Sequence, residues 1–521
     1  MVEEEPSSED RTLPSGVFKT FLYLVFLTLV SFRLNGHDFG GGDHPLHLPV
    51  AFQIVRPELY PGDQLVAGVR TYPSVLWKGF ALVLSFTRDR LLGAAQAWEL
   101  GLFLLNRILL LWGLLRLGRL LTSSSLASWM VPAIAIPFNV VPWGGTNFFE
   151  TGLETSSVGL MLAVHATVLL LEKKYLAWGV VMGLGGAIHP MVALHAAIPM
   201  GLWLLLHKEI LREKFLWIGA FEALLLSLAL LIAAKAFPAS VSQIPTEDWM
   251  ALVRLRLRHH LFPLSWSWRM WAAMAAVLGG AVAGWTFLRR DHPLRKPAAV
   301  WFACGALFSV ANIFFGEICP VPALLRAHLW REWLIVMPFI FALCAEGVSI
   351  WFPSKVQNPP RRQLVLLGLA AFLILYEYRP SQFTATQLAS RRNFRDVGIS
   401  VFQSTPYNAM ILSPPDQTGM RLWSLRSVYV EWKDGSALLW DPKWTRDVWL
   451  ARLIKLGFDP ATTNPRDVST ALAKAYDALS SETVKRLAEE EGIGYVLSRH
   501  EMKGLKGERL GGGYWLTQVP K

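Results

Sequence analysis

VFKTFLYLVFLTLVSFRL (residues 17–34), followed at once by NGHDFGGGDHPLHLP (residues 35–49), decides how this chain is to be read. The first stretch is apolar apart from Lys19, near its start, and Arg33, near its end, and is long enough to cross a hydrocarbon core that needs roughly 20 such residues. The second is polar and glycine-rich. An anchor therefore delivers a loop carrying carboxylates and imidazoles to the edge of a membrane.

Working outward, the same apolar pattern recurs. The length rule gives about eleven spans, near 17–34, 98–120, 127–143, 155–171, 175–190, 191–206, 215–236, 267–288, 298–316, 330–351 and 363–380. The stretch from Ser74 to Phe86 is too short to cross and runs into the charged TRDR, so it reads as an interfacial helix. Hydrophobic residues make up 53% of the 521-residue chain and charged residues 17%, an apolar surplus that needs a bilayer. From Pro380 onward the composition returns to that of a water-soluble domain. The expected architecture is mainly α: a polytopic bundle with a small C-terminal α/β domain. Residues 1–16 form a cytoplasmic tail, 17–380 the membrane domain with a large outer loop at 35–97, and 381–521 the extracytoplasmic domain.

The distribution of cations sets the expected orientation, because short cytoplasmic loops collect Lys and Arg. Arg116 and Arg119, Lys173 and Lys174, Lys208, Arg212 and Lys214, Arg289 to Lys296, and Lys355 with Arg361 and Arg362 all fall on one side. With the N-terminus inside, an odd number of spans puts the C-terminal domain on the extracytoplasmic side. The formal charge of +11 thus reflects loop clusters between apolar segments and excludes nucleic acid as the partner. Cys304, Cys319 and Cys344 form no CxxC pair and read as packing residues. The acidic start MVEEEPSSEDRTLPSG lacks the basic region of a signal peptide, so the first span stays as an anchor.

Asp38, Asp43, His44, His47 and Asp63 concentrate in the first outer loop around Gly40, Gly41 and Gly42. Such groups supply general-base chemistry, while Asp and Gly also favour turns for purely conformational reasons. His44 and His47, spaced as on one helix face, would serve a divalent metal, but no third ligand stands nearby. In the connection 237–266, Arg254, Arg256 and Arg258 with His259 and His260 read as a basic stripe along an extended strand, either a solvated amphipathic segment or a face suited to an anion. Asn147, Glu150 and Glu154 occupy the turn before the fourth span. His189 precedes Pro190, which ends a helix, so its ring faces a cavity or headgroup. Asn106, Arg107 and Glu222, inside spans, read as structural glue. Trp77, Trp98, Trp143, Trp266, Trp268, Trp330 and Trp333 fall near span ends, where aromatic belts form.

With GGDHPLHLP (41–49), LYPGD (59–63) and RSVYVEWK (426–433), the layout of one span, a large acidic outer loop, many further spans and an outer C-terminal domain resembles the GT-C-type membrane glycosyltransferases. The resemblance implies transfer of a sugar from a polyprenyl-phosphate donor to a glycan, lipid or protein acceptor. It implies an outer-loop carboxylate as general base, with Asp43 first, Asp38 second and Asp63 third. His44, His47, Glu150, His189, Arg326 and Arg331 are the implied substrate-binding set, the arginines for the donor phosphate. A polymerase or ligase of lipid-linked glycans and a transporter of lipid or solute are the alternatives. In the C-terminal domain, AMILSPP, SVYVEW, GYVLSR and YWLTQV read as strands and 445–457 and 467–491 as helices. No GxGxxG, GxSxG or P-loop supports separate nucleotide or hydrolase chemistry there.

Overall fold

The computed structural model describes residues 17–137, 147–236, 244–350 and 385–520. It is mainly helical with one small C-terminal sheet. The helices are α1 Val17–Asn35, α2 His44–Val55, α3 Gln64–Val69, α4 Leu76–Leu84, α5 Leu91–Leu121, α6 Ser125–Ala135, α7 Thr155–Leu171, α8 Tyr175–Ile188, α9 Pro190–Leu206 and α10 Lys214–Ala233. They continue with α11 Thr246–Arg256, α12 Arg258–Leu261, α13 Trp268–Phe287, α14 Arg295–Ile313, α15 Pro322–Arg326 and α16 Glu332–Ile350. The C-terminal part opens with α17 Ala385–Ser404 and α18 Met420–Ser424.

Six segments among the described residues are long and apolar enough to cross a membrane: Val17–Asn35, Leu91–Leu121, Lys214–Ala233, Trp268–Phe287, Arg295–Ile318 and Pro322–Ile350. The expected spans at 155–171, 175–190 and 191–206 appear as the shorter apolar helices α7, α8 and α9. The expected 127–143 span is helical as far as Ala135, and its far end, like the expected span 363–380 and the tail 1–16, lies outside the described residues. Some helices turn a wholly apolar face outward. Phe215, Trp217, Phe221, Leu224, Leu228 and Ile232 of α10 are exposed, an arrangement that suits lipid and not water. At the opposite extreme α16 is almost entirely buried and forms the axis against which α6, α13 and α14 pack. The tryptophan belt is only partly realised. Trp98 and Trp268 are exposed, but Trp77, Trp266, Trp330 and Trp333 are buried in the core, because an indole at a helix end packs inward wherever another element covers it.

The first loop differs from expectation in being folded. Residues 35–90 build α2, α3 and α4, and Trp77, Phe80, Ala81 and Leu84 of α4 point into the shared core, so α4 is an element of a small helical layer. Pro45 and Pro49, which as sequence suggest a broken chain, sit inside α2: Pro45 is in its first turn, where no intrahelical donor is needed. The 246–266 connection is also helical, α11 and α12 with a kink at Leu257, where an extended strand was expected.

The C-terminal sheet runs β2-β1-β3-β5-β4, with β1 Met410–Leu412 parallel to β2 Ser427–Val428 and to β3 Tyr495–Ser498, and β5 Trp515–Gln518 antiparallel to β3 and to β4 Gly507–Arg509. Four of these strands match the sequence expectation; β4 adds an edge. The expected helix 467–491 is two helices, Val468–Asp477 and Ser481–Glu491, the second capped by Ser480. Helix α17 was not expected from sequence, and its Phe394, Val397 and Val401 reach the sheet through one helical face.

This domain shares its core with the rest of the chain. Leu422, Trp423, Leu425, Ala437 and Trp440 pack with Leu46, Phe52, Leu59, Tyr60 and Trp77 of the first loop, and Tyr429, Val430 and Trp449 pack with Trp249, Val253 and Leu261. At the seam the buried Arg421 guanidinium binds Asp63 at 2.7 Å and Asp434 at 2.9 and 3.1 Å, with Glu431 at 3.6 Å. Removing one partner of a buried ion pair costs about 3–5 kcal/mol, since the others are left uncompensated. Arg421→Met should therefore destabilise the protein by that order in thermal or denaturant unfolding and open the 35–90 layer to protease. A variant as stable as the parent would show that the apolar seam alone joins the two parts.

Candidate active-site cavity

Between the first-loop layer, the helix ends and the C-terminal domain lies a cavity of about 230 Å³, bounded among others by Gly42, Asp43, His47, Tyr72, Glu150, Glu154, His189, Arg256, His259, His260, Arg331, Lys433 and Trp440. These residues come from seven separate stretches of sequence. The cavity is where the expected candidates Asp43, His47, Glu150, His189 and Arg331 meet.

Asp43 occupies the N-cap position of α2, yet its side chain makes no capping hydrogen bond. Its carboxylate turns instead to the Lys433 ammonium at 2.6 Å, and 42% of the side chain is exposed toward the cavity. Burial pushes the Asp43 carboxyl up, but the Lys433 ammonium outweighs it and holds it well below the usual carboxylate range. The backbone is fixed from behind, since the Asp43 N–H donates to Glu154 Oε1 at 3.1 Å. Gly42 makes this approach feasible: its φ is +54° and a Cβ there would stand 1.7 Å from Glu154 Oε1.

Glu150 and Glu154 face Asp43 from the α6–α7 connection. Burial first, and then the Asp43 charge, push the Glu150 carboxyl up to about 7, with Arg331 opposing. The same two causes, together with Glu150, raise Glu154 well above its ordinary value. Arg107 of α5 positions this connection, donating to the Glu150 carbonyl at 2.6 Å and to Ser31 Oγ at 2.8 Å. The structural role expected for Arg107 thus acts on the site. His47 stacks on Trp77 with ring planes 10° apart and lies beside Tyr72. Its burial lowers the ring to about 4 against the pull of Asp43, so it is neutral near pH 7. His189 Nδ1 accepts the Val192 N–H at 3.2 Å, capping α9.

The cationic wall comes from three elements. Arg256 donates to the Trp432 carbonyl at 3.2 Å and to Ser436 Oγ at 2.9 Å, which fixes its guanidinium. Arg331 Nε is buried without a hydrogen-bond partner among the described residues. His259, lowered to about 4 by burial and by Arg256, and His260 complete that side. The basic stripe expected at 254–260 thus does reach the cavity, but from a kinked helix.

Four expected site residues do other work. Asp63 caps α3 through Leu65 N and Val66 N at 3.1 and 3.2 Å and binds Arg421, so it is a structural joint. Asp38 is salt-bridged to Arg391, and its N–H donates to Thr151 O at 2.7 Å. His44 is fully buried. Its Nδ1 accepts the Gly40 N–H at 3.0 Å and its Nε2 donates to the Leu153 carbonyl at 3.1 Å, a neutral tautomer favoured by burial. His44 and His47 therefore do not converge, and among the described residues no three His, Cys, Asp or Glu side chains gather to hold a metal ion. Arg326 lies over the Trp249 ring at 5.4 Å, outside the cavity lining.

Several participants carry little distinguishing signal in the sequence. Lys433 is the last residue of RSVYVEWK, but nothing in one sequence places it against Asp43. Tyr72 stood in an unremarkable turn. Glu99 of α5 accepts from His37 Nε2 at 2.7 Å and from Leu153 N at 2.7 Å, tying the loop to the bundle; its signal in the sequence is an acid at the start of an apolar span.

The Glu150 shift carries a stability consequence. Its folded value of about 7 lies above the ordinary carboxylate value, so the folded state binds the proton more tightly, and the stability this brings is present at acidic pH and lost as pH rises through about 7. Thermal unfolding measured from pH 5 to 8 should show a decline that Glu150→Gln flattens. An unchanged slope in that variant would place the titrating group elsewhere.

A family described as Domain of unknown function (DUF6798) matches residues 394–453, the stretch that carries Arg421, Lys433, Asp434 and Trp440. No curated protein matches the chain.

Proposed function

We propose that the chain is an integral membrane glycosyltransferase that moves a sugar from a polyprenyl-phosphate donor to an acceptor at the outer face of a bacterial inner membrane. The observation that carries this reading is Asp43: a helix-capping residue whose carboxylate does no capping and opens instead into a cavity lined by two further carboxylates and by the cations Arg256, Arg331 and Lys433. A carboxylate next to cations is what glycosyl transfer from a phosphate requires. Asp43 takes the proton of the acceptor hydroxyl, the acceptor oxygen bonds to the anomeric carbon, and the bond from that carbon to the phosphate oxygen breaks with its electron pair leaving on the phosphate. Cations placed where that charge develops stabilise the transition state. Tyr72 and Trp440 supply aromatic faces for a sugar ring. The topology in this reading is the eleven-span one, with residues 381–521 and the cavity on the outer side.

A lipid-linked glycan polymerase or ligase is the second reading, favoured by the number of cations, since a pyrophosphate carries more charge than a phosphate diester. Both use the same cavity and the same base. A transporter is less well supported, because the ionisable groups of the cavity collect where the C-terminal domain meets the helix ends.

Asp43→Asn should reduce turnover of a polyprenyl-phosphate sugar by about 10²–10⁴-fold, the usual worth of a general base. The measurement is product formation by the nanodisc-embedded protein, with thermal unfolding as the control for folding. Turnover by a folded Asp43→Asn protein at the parental rate would remove Asp43 as the base.

A further inference from the structure

We propose that Lys433 is a ligand for a phosphoryl anion, delivered to the cavity by the C-terminal domain and held by Asp43 until the anion takes it over. Three observations lead there. Lys433 Nζ sits 2.6 Å from Asp43 Oδ1 at the cavity wall, with 23% of its side chain exposed. Of the two other cations there, Arg256 is engaged by the Trp432 carbonyl and Ser436 Oγ, whereas Arg331 Nε has no partner among the described residues. The Arg331 guanidinium is thus a preset half of an anion site, a planar fork suited to phosphate oxygens, and the other half is an ammonium on a flexible four-carbon stem.

The charge balance makes the exchange necessary. A phosphoryl group entering beside an ionised Asp43 meets like-charge repulsion. Movement of the Lys433 ammonium onto the phosphoryl oxygens offsets the charge of the incoming anion and joins Lys433 and Arg331 on it. Asp43 then loses the counter-ion that keeps its proton affinity low, and its capacity to take a proton rises once the anion is in place. Binding of the anion and activation of the base become one event. The C-terminal domain is thereby part of the site, with Lys433 next to Trp432, whose carbonyl anchors Arg256.

This inference rests on the transferase reading for the role of Asp43 as a base, and its test does not require turnover. The protein in nanodiscs is titrated with polyprenyl phosphate, with inorganic pyrophosphate and with uncharged polyprenol, affinity being read from the thermal-unfolding shift in the parent, Asp43→Asn, Lys433→Met and the double variant. Asp43→Asn frees the lysine and should tighten phosphoryl binding about tenfold, and Lys433→Met should weaken it by a similar factor. In the Lys433→Met background the gain from Asp43→Asn should shrink to about twofold, what general electrostatics leaves when two neighbours no longer couple. Lys433→Arg should retain most of the affinity. Effects confined to polyprenyl phosphate assign a lipid-borne anion, and effects shared by pyrophosphate assign the phosphoryl group alone; polyprenol should show none of them. Equal gains from Asp43→Asn with and without Lys433, or no phosphoryl-dependent shift in any variant, would overturn the proposal. A protein that passes this cycle yet transfers no sugar would retain the anion site and lose the transferase reading.

Discussion

Arg421 is the group on which the arrangement of this molecule depends. A guanidinium sealed from water must have its donors matched, and here they are matched by Asp63 of the first loop, by Asp434 of its own domain and by the Val428 carbonyl. Asp434 engages the two terminal nitrogens from within the domain, and the Nε–H is matched across the seam by Asp63. The apolar residues around it, Leu46, Phe52 and Tyr60 facing Leu422 and Trp423, supply the larger part of the free energy by burial, but they would tolerate sliding. The fixed geometry of a buried fork does not. Because Asp63 opens α3 and Arg421 lies on α18, the joint sets where Lys433 stands relative to Asp43.

The cavity beyond that joint is a study in unequal carboxylates. Asp43, Glu150 and Glu154 lie close enough that their charges oppose one another, and their surroundings drive them apart. Lys433 keeps Asp43 ionised, while burial and the Asp43 charge make Glu150 and Glu154 more reluctant to ionise. Neighbouring acids separated in this way can hold different protonation states at one pH, which is the condition for dividing proton acceptance and charge stabilisation among them. The helical scaffold contributes through Arg107, which reaches from α5 to the Glu150 carbonyl, so the helical bundle holds this connection by its backbone.

How much of this the sequence discloses depends on which force fixes each feature. Apolar length is local, so α1, α5, α10, α13, α14 and α16 could be read directly, and so could most of the strand positions in the C-terminal domain. The folding of residues 35–90 could not, because Pro45, Pro49 and three successive glycines look like breakers until tertiary packing shows the prolines inside α2. Helix α17 was hidden by its charged outer face. At the site, Asp38, Asp43 and Asp63 are indistinguishable as letters, each an acid within two residues of a glycine. Their fates differ only through partners hundreds of residues away, Arg391, Lys433 and Arg421. His44 and His47 lie on one short helix, and one is spent on the Gly40 amide and the Leu153 carbonyl while the other faces the cavity.

The distance in sequence between Asp63 and Arg421 has a consequence for biogenesis. The two residues are 358 positions apart, and at a synthesis rate of about 5–20 residues per second the loop waits roughly 20–70 s before its partner is made. Throughout that interval the first-loop acids stand without their cations, and the apolar faces of α2 and α4 that later meet Leu422 and Trp440 stand uncovered. The joint is thus completed late in synthesis, and a nascent chain released short of Arg421 would carry the helical bundle with an open, charged and sticky mouth.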